Sequence, residues 1–505
     1  MFVIDIDNLD FSFESSEDKL FEGINLNLNS GEIVGLVGHN GSGKSTLIRL
    51  LIGELRASAG QVKLKSFGYL PQDVSLGDLN GTLAELFENK FRAEEWRGEL
   101  ALSITGLIEL DLNLKLDSLS GGQRTRLGLG LILASEDIPE CLVLDEPTNN
   151  LDAEGLAWLK KVLKEYKGGV LIASHERSFL DEVVDRVVAV EDKRLVSYGG
   201  SYSFYKKQLE IKQETKEKIY KESLKKRKDL ETQRLQQDTN LSKYTKWESS
   251  SKRERAKNPF KVTQVFYEAS RDVVETRVGK KAKAVNSKID QLKDAERPEK
   301  DPVLDVRLNS DIASSKVVLM VKDLSKSFGQ RKVLREFNLE VRGPERVLIS
   351  GKNGSGKSTL LDLIAGKIKP GSGEVELGQN LNFGYFSQDV YGLDQSRTPL
   401  EELNLLENDK ARCYLLCIKA GLAKQTADKK ISELSRGQQA KLGFVKLMLT
   451  QPDVLVLDEP TNHLDVQTKE AIEKALEEFG GAILVASHDK YFVSRINIDR
   501  DILLK

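Results

Sequence analysis

Two glycine-rich segments, GHNGSGKST at 38–46 and GKNGSGKST at 351–359, share the spacing G-x-x-x-x-G-K-[ST]. The glycines let successive backbone N–H groups turn toward a chain of phosphates, the lysine reaches the terminal phosphates, and the hydroxyl that follows can ligate Mg²⁺. Each segment comes after a short apolar strand and opens a predicted helix, whose N-terminus adds a partial positive charge. We therefore predict two nucleotide sites, with these phosphate-loop residues: Gly38, Asn40, Gly41, Gly43, Lys44, Ser45 and Thr46, and Gly351, Asn353, Gly354, Gly356, Lys357, Ser358 and Thr359.

Two acidic pairs end apolar stretches further along the chain, Asp145-Glu146 in CLVLDE and Asp458-Glu459 in VLVLDE. The first carboxylate of such a pair can hold Mg²⁺, and the second can polarise an attacking water. A lone acidic pair would more often cap a helix, but the context D-E-P-T-N occurs here twice. We predict that the two aspartates are metal ligands and that the two glutamates are catalytic.

A third repeated motif is SLSGGQ at 118–123 and ELSRGQ at 433–438. A serine and a glycine ahead of a helical run form a helix N-terminus suited to an anion, although alone they would more often be ordinary helix caps. We expect this motif to supply the missing half of each nucleotide site. The candidate residues are Ser120, Gly122, Gln123, Ser435, Gly437 and Gln438.

One long internal repeat organises the chain. The loop lysines, the strand-ending aspartates and two histidines, His175 and His488, are each separated by 313 residues. Within each copy, short apolar strands alternate with helices, which predicts an α/β fold with a mostly parallel sheet covered on both faces. We place the first phosphate-loop domain at 1–205, a linker at 206–315 and the second domain at 316–505.

In kind and in order, these motifs resemble those of the ATP-binding cassette (ABC) ATPases. The resemblance implies ATP and Mg²⁺ at two composite sites between head-to-tail cassettes, with Ser435 facing Lys44 and Ser120 facing Lys357. It also assigns glutamine-loop residues that bind nucleotide and metal, D-loop aspartates, catalytic switch histidines, and aromatic rings that stack on adenine. In that order these are Gln72 and Gln388, Asp152 and Asp465, His175 and His488, and Phe13 and Phe328.

Two features of that assignment stay open at this stage. Plain core packing is the alternative for Phe13 and Phe328. The family pattern has a second glycine where this chain has Arg436, and Asn150 replaces the histidine seen in NHLD of the second copy. These departures bear on whether the two sites turn over equally, not on nucleotide binding.

Residues 206–300 are strongly basic, with 27 Lys and Arg against 16 Asp and Glu, although the whole chain has a formal net charge of −2. A basic insert in an acidic body suits an anionic partner. The insert has helix-forming composition, and apolar residues spaced by four and three at Val278, Ala282, Val285, Ile289 and Leu292 predict a seam for one partner helix.

The middle of the insert, residues 239–261, has a different composition. Its serines and Pro259 break the periodicity. It contains seven Lys and Arg but only two Asp and Glu, and Tyr244, Trp247 and Phe260 are interleaved with these charged residues. Basic and aromatic residues together suit phosphate contacts and base stacking. We predict two antiparallel helices joined by a basic, aromatic tip; a solvated spacer is the alternative.

Two cassettes, no stretch of about 18 apolar residues, and a long charged hairpin together resemble the ABC-F family. This resemblance implies a ribosome-associated ATPase that acts in translation regulation or in antibiotic resistance by ribosomal protection. Its partners would be ribosomal RNA and transfer RNA at the exit site, reached by the tip. The chain would act as a monomer in the cytoplasm, which three scattered cysteines also favour.

Two other functions are weighed against this one. A tandem-cassette ATPase that powers a membrane transporter would have this length but would lack the long basic hairpin. A DNA-repair or chromosome ATPase would carry zinc cysteines or a far longer coiled coil. The long basic linker therefore favours the ribosome-associated ATPase over these two alternatives.

Overall fold

The computed structural model describes residues 2–13, 18–39, 41–77, 81–92, 94–149, 151–257, 287, 308, 310, 312–329, 331–352, 354–387, 392–422, 424–462 and 464–504. The chain divides into two compact units, Met1–Tyr205 with Pro302–Lys505, and Lys206–Asp301. The first unit contains both halves of the repeat, which we call domain 1 and domain 2.

Domain 1 is built on a six-stranded sheet with the order β5-β6-β7-β3-β8-β9 and a three-stranded antiparallel sheet with the order β2-β1-β4. The large sheet is parallel except for β9 at its edge. Its elements are β1 Phe2–Phe11, β2 Phe21–Asn29, β3 Ile33–Val37, α1 Lys44–Leu51, β4 Ala59–Leu64, β5 Phe67–Leu70, α2 Leu83–Phe91, α3 Trp96–Thr105, α4 Gly121–Leu133, β6 Cys141–Asp145, α5 Ala153–Glu165, β7 Gly169–Ala173, α6 Arg177–Val183, β8 Arg186–Glu191 and β9 Arg194–Gly199.

Domain 2 repeats this plan with a five-stranded parallel sheet of order β14-β15-β16-β12-β17 and an antiparallel sheet of order β11-β10-β13. Its elements are β10 Val317–Phe328, β11 Arg331–Arg342, β12 Arg346–Gly351, α8 Lys357–Ile364, β13 Ser372–Leu377, β14 Phe383–Phe386, α9 Pro399–Leu403, α10 Lys410–Lys419, α11 Lys424–Ala427, α12 Arg436–Leu449, β15 Val454–Asp458, α13 Val466–Glu477, β16 Ala482–Ala486, α14 Lys490–Arg495 and β17 Arg500–Leu504.

The central strands are apolar because both of their faces are covered. Every residue of β3, β6 and β7 is buried, and so is every residue of β15 and β16. This is the pattern of a parallel sheet that carries helices on both sides. The predicted α/β class and the mostly parallel sheet are therefore confirmed.

The long helix α7, Tyr202–Lys257, leads from domain 1 into the second unit and has 56 residues. It passes through positions 239–257, where we expected the serines to interrupt it, so that part of the prediction was wrong. Serine weakens a helix only slightly, so the serines of this stretch do not interrupt α7. The rest of the hairpin, including the seam at 278–292, lies outside the described residues apart from position 287.

A buried ion pair joins domain 1 to domain 2. The Arg177 guanidinium at the start of α6 donates from Nη1 to Glu473 Oε2 of α13 at 3.3 Å and from Nη2 to Oε1. Both side chains are almost fully buried, and the guanidinium carbon lies 4.1 Å from the ring centroid of Tyr491. A second contact, from Lys352 Nζ to Glu154 Oε2 at 3.0 Å, joins two exposed side chains.

This difference in burial predicts unequal effects of neutralising the two glutamates. Glu473→Gln removes the carboxylate nearest to a buried guanidinium and leaves only Glu470 at 4.0 Å, so we expect the free energy of unfolding of the domain pair to fall by about 3 kcal/mol. Glu154→Gln is the matched control, and we expect less than about 1 kcal/mol from it because an exposed pair is screened by water. Denaturant unfolding of both variants measures this, and equal losses would contradict the assignment of the buried pair as the main interdomain contact.

Candidate functional site

Both phosphate loops lie where a central strand passes into a helix. In domain 1 the fully buried β3 ends at Val37 and α1 begins at Lys44. Gly43 has φ 103° and Gly356 has φ 101°, a backbone conformation that favours glycine. A Cβ atom on Gly43 would lie 2.7 Å from Phe21 Cζ, so the loop can approach the small sheet only with glycine at this position.

The loop lysines are buried and folded over their own loops. Lys44 Nζ donates to the carbonyl oxygen of Gly38 at 2.8 Å and to that of His39 at 3.2 Å. Lys357 Nζ donates in the same way to Gly351 and Lys352. The ammonium groups are thus held at the mouth of each loop, where a phosphate would meet them.

Charges from the opposite domain face these lysines. Burial lowers the pKa of Lys44, and the carboxylates of Glu146 and then of Asp465, which belongs to domain 2, oppose this. Burial likewise lowers the pKa of Lys357, and domain 1 contributes the opposing charge of Asp152. Each site is therefore made by both domains, and we call them the Lys44 site and the Lys357 site.

The donor set beside Lys44 fits a magnesium ion. Burial raises the pKa of Asp145, and a hydrogen bond from the Ser45 hydroxyl lowers it, so these two side chains are in contact. A hydroxyl and a carboxylate are oxygen ligands of the kind Mg²⁺ takes, with its other positions filled by phosphates and water. Among the described residues, no group of three or more His, Cys, Asp and Glu could hold a metal without such help.

The catalytic candidates of each site lie side by side. His175 Nε2 is 3.3 Å from Glu146 Oε1, and the backbone N–H of His175 donates to Glu146 Oε2 at 3.2 Å. In the Lys357 site, His488 Nε2 is 3.6 Å from Glu459 Oε1, and the matching backbone contact is 3.3 Å. The two sites share one arrangement, slightly more open around Glu459.

Both glutamates have a strained backbone. Glu146 has φ 51° and Glu459 has φ 46°, which is uncommon for a residue with a side chain. In each case the backbone N–H donates to the neighbouring strand at 2.8 Å, to Ala173 or Ala486. Strain that the surrounding structure holds in place is a frequent mark of a functional residue.

Burial adjusts the acidity of these groups in the direction that catalysis needs. It raises the pKa of Glu146 to about 7, against the opposing charge of Lys44, and it raises that of Glu459 to about 8. Burial and the loop lysines lower the pKa of His175 and His488. A general base works best when its pKa lies near the working pH, and each neutral imidazole can both donate and accept a hydrogen bond.

The third motif forms two capped helix N-termini. Ser120 Oγ accepts from the backbone N–H of Gln123 at 3.2 Å, and Gln123 Oε1 accepts from the backbone N–H of Ser120 at 2.8 Å. Ser435 and Gln438 form the same reciprocal cap on α12. The glutamines thus hold the helix ends in shape, and the serine and glycine backbone is what an anion would meet.

A single cleft of about 1100 Å³ brings most of the candidates together from both domains. Those that line it are Phe13, Gly41, Gly43, Lys44, Ser45, Thr46, Gln72, Ser120, Gly122, Asp145, Glu146, His175, Phe328, Gly354, Gly356, Lys357, Ser358, Thr359, Ser435, Gly437, Asp458, Glu459 and His488. The candidates that do not line it are Gly38, Gln123, Asp152, Gly351, Gln438 and Asp465. Asn40, Asn353 and Gln388 lie outside the described residues.

Asp152 and Asp465, the predicted D-loop aspartates, do not line the cleft. Asp152 accepts from the backbone N–H of Gly155 at 2.9 Å and so caps α5. Asp465 accepts from Thr468 N at 2.8 Å, caps α13 and pairs with Lys441 at 2.8 Å. Each aspartate affects the loop lysine of the opposite domain through its charge, Asp465 for Lys44 and Asp152 for Lys357.

Phe13 and Phe328 are not core residues. They are 44% and 53% exposed, respectively, and both border the cleft. Phe11 holds Phe13 edge-on at 5.1 Å, and Lys326 Nζ lies 5.3 Å from the Phe328 ring centroid. Exposed rings beside a phosphate loop are available for stacking on a base.

Sequence reasoning missed two interdomain side chains near the Lys44 site, Arg177 and Lys469. Lys469 is buried, borders the cleft, and places Nζ 3.4 Å from the carbonyl oxygen of His175. A position-by-position comparison of the two copies would have pointed to it, because the residue 313 positions earlier is Leu156.

Comparison with known proteins agrees with this geometry. The family model described as "ABC transporter" matches residues 21–149 and 334–462. The ABC transporter F family member 5 of Arabidopsis thaliana is 30% identical over 92% of this chain and 70% of its own length. The ribosome protection protein VmlR of Bacillus subtilis (strain 168) is 31% identical over 96% of this chain and 84% of its own length.

The chain belongs to the ABC-F family.

It is therefore an ATPase with two ATP-binding cassettes, which are domains 1 and 2. A solved structure of the archaeal ribosome recycling factor aABCE1, in complex with the archaeal ribosomal stalk protein aP1, has the same tandem fold. The TM-score is 0.63 at 18% identity, over 98% of this chain and 87% of that one. Across the described part of this ABC-F chain, no helix combines the length and the apolar character needed to cross a membrane.

The first prediction from this site concerns hydrolysis. Replacing both glutamates, Glu146→Gln with Glu459→Gln, should lower ATP turnover by at least ~10²-fold, because the general base is lost. ATP binding should remain, since the phosphate loops are untouched. Steady-state turnover and nucleotide binding by the double variant measure this, and near-normal turnover would overturn the assignment.

The second prediction concerns the pairing of the domains. Ser120→Arg places a bulky cation at the N-terminus of α4, so it should damage hydrolysis at the Lys357 site and spare the Lys44 site. Because Lys357→Ala removes the same site, combining the two substitutions should add little to either alone. Turnover of the two single variants and the double variant tests this, and fully additive losses would show that the sites are not shared.

Proposed function

We propose that this ABC-F ATPase acts on the ribosome, and that ATP-driven closure of domains 1 and 2 controls its linker. The observation that carries the proposal is α7, a single helix of 56 residues whose last third is basic and aromatic in sequence. A helix of that length spans roughly 84 Å at 1.5 Å per residue. Such a rod can present a small surface at its end.

The helix begins on a firm base. Tyr202 and Tyr205 are buried, with Tyr205 ring contacts to Tyr198 at 4.9 Å and to Tyr202 at 5.6 Å. Further along, the described side chains of α7 are mainly exposed and charged. A rod anchored at one end and charged along its length suits contact with a large polyanion.

The chemistry of the far end favours RNA. Seven Lys and Arg against two Asp and Glu in residues 239–261 give that stretch a net charge of +5, with three aromatic residues among them. Basic side chains neutralise phosphates, and aromatic rings stack on unpaired bases, which is how structured RNA is often bound. Ribosomal RNA, and transfer RNA at the exit site, are the partners we propose.

The relatives support this proposal. The name of the B. subtilis protein describes it as a ribosome protection protein. By that likeness, this ABC-F ATPase would serve translation regulation or antibiotic resistance by ribosomal protection, as a cytoplasmic monomer. Its two ATP sites would close over ATP to bind the ribosome and reopen after hydrolysis.

We propose the following roles for the residues of each ATP site. Glu146 and Glu459 would take the proton of the attacking water, and His175 and His488 would sense the terminal phosphate. The loop lysines and the signature serines of the opposite domain would hold the phosphates from two sides. Mg²⁺, held by Ser45, Gln72 and Asp145 and by Ser358, Gln388 and Asp458, would neutralise charge on the phosphates.

The test replaces residues 243–257 with a short Gly/Ser loop. We expect both domains to remain folded and the ATPase rate of the free protein to be unchanged, because the change is confined to the linker. The effect on peptide synthesis should disappear, and ribosome binding should weaken. ATPase rate, co-sedimentation with ribosomes and peptide synthesis are measured on the same preparation.

A matched control changes the four lysines of this stretch to arginine, which keeps both charge and helix, and it should act like the parent. Binding by the parent should also fall steeply with salt, because each phosphate contact releases counterions. Full activity of the Gly/Ser variant in translation would show that the linker is a spacer. Co-sedimentation of an ATP-trapped Glu146→Gln, Glu459→Gln protein with membranes and not with ribosomes would favour the transporter alternative.

A further inference from the structure

Helices α5 and α13 are equivalent in the two copies, and two of their sequence differences lie one turn apart. Lys469 of α13 corresponds to Leu156 of α5, and Glu473 corresponds to Lys160. Because domain 1 forms the equivalent helix with leucine at the first position and the opposite charge at the second, the fold itself requires neither the lysine nor the glutamate.

Lys469 bridges the two domains beside the Lys44 site. Its Nζ donates to the backbone carbonyl of His175 in domain 1 at 3.4 Å, and it lies 3.6 Å from Asp489 Oδ2 in its own domain. The side chain is only 5% exposed. A buried ammonium is expensive unless it is paired, so a lysine is kept here only for the contacts that it makes.

Glu473, one turn further along α13, makes the second contact with the same segment. It accepts both donors of Arg177, which is two residues after His175. We call residues 175–177 the switch segment of domain 1. Its two ends are thus held by a lysine and a glutamate that project from one helix of domain 2.

The equivalent positions in domain 1 cannot act in this way. Leu156 has no donor to offer a backbone carbonyl. Lys160 pairs with Glu182 at 2.7 Å within its own domain, and the residue equivalent to Arg177 is Lys490, which has the same charge as Lys160. The interface between the domains is therefore asymmetric in charge.

We propose that Lys469 and Glu473 form a clamp that positions the switch segment of domain 1, and with it His175, for hydrolysis at the Lys44 site. The Lys357 site receives no such contact from Leu156 and Lys160. Lys469 is a positioning residue that acts through the backbone of His175 and takes no part in the reaction itself. The clamp concerns hydrolysis by the free protein, so it stands independently of any action on the ribosome.

The contacts of His175 explain why losing the Lys469 side chain should slow hydrolysis. His175 contacts Glu146 both through its ring and through its backbone N–H. The peptide carbonyl that Lys469 holds belongs to the same residue, so a shift at that carbonyl moves both contacts. A displacement of about 1 Å at a catalytic group can cost two orders of magnitude in rate.

The test uses Lys469→Met in two backgrounds. With Glu459→Gln only the Lys44 site hydrolyses ATP, and with Glu146→Gln only the Lys357 site does. The first turnover of phosphate formation at saturating ATP is measured, together with the ATP concentration that gives half of the maximal rate. We expect about a tenfold slower first turnover at the Lys44 site and a change within about twofold at the Lys357 site, with the ATP requirement also within about twofold.

Three further variants sharpen the experiment. Lys469→Arg keeps the donor and the charge, so it should restore the rate to within about threefold of the parent. Lys469→Leu installs the residue found at the equivalent position 156, removes the donor and replaces the methionine variant if that variant unfolds. Lys474→Met, which removes an exposed lysine from the same helix, is the matched control and should leave both sites unchanged.

Three results would overturn the proposal. Equal slowing at both sites would make Lys469 a general contact for closure. A raised ATP requirement with an unchanged first turnover would make it a binding residue. An unchanged rate at the Lys44 site in the folded methionine or leucine variant would reduce it to packing.

Discussion

The balance of charge across the interface between the two domains is the constraint on which the rest of the structure depends. Each loop lysine is buried, and burial would favour its neutral form. Part of the compensating charge comes from the opposite domain, from Asp465 for Lys44 and from Asp152 for Lys357. An isolated domain would therefore lack part of the charge that compensates its loop lysine.

The same dependence explains how burial serves catalysis. A carboxylate inside a protein is costly when it is unpaired, and its pKa rises until it can exchange a proton near neutrality. Glu146 and Glu459 are placed in this condition at the ends of apolar strands, each next to a loop lysine and a histidine. Each has a positive φ, and its carboxylate contacts the histidine that follows the neighbouring strand. The backbone N–H of each glutamate donates to the last residue of that strand.

Duplication has not made the two sites identical. Gly121 of one signature corresponds to Arg436 of the other, and Leu156 corresponds to Lys469. The second change places a buried lysine beside the Lys44 site. The interface between the domains is therefore asymmetric, although the two folds are alike. The side chains of domain 2 that contact the switch segment of domain 1 have no counterpart at the equivalent positions of domain 1.

Much of the site could be predicted from the sequence because its chemistry is local. The residues of each motif (the glycine-rich loop with its lysine, the strand-ending acid pair and the capped serine) lie within a few positions of one another, and short apolar strands next to these motifs indicate the parallel sheet. The duplicated order of these motifs determined the family. Composition also indicated a helical linker, but it placed a break within 239–257, where the serines alone do not end the helix.

Only the tertiary structure could show the contacts between residues that lie far apart in the chain. Arg177 and Glu473 are 296 positions apart, and Lys469 and His175 are 294 apart. No periodicity or motif links such residues, because their meeting depends on how two complete domains dock. The exposure of Phe13 and the positive φ of Glu146 are likewise set by neighbouring strands. The sequence alone determined which groups could do chemistry, whereas docking decided which of them meet, because burial and charge pairing arise only when both domains are in place.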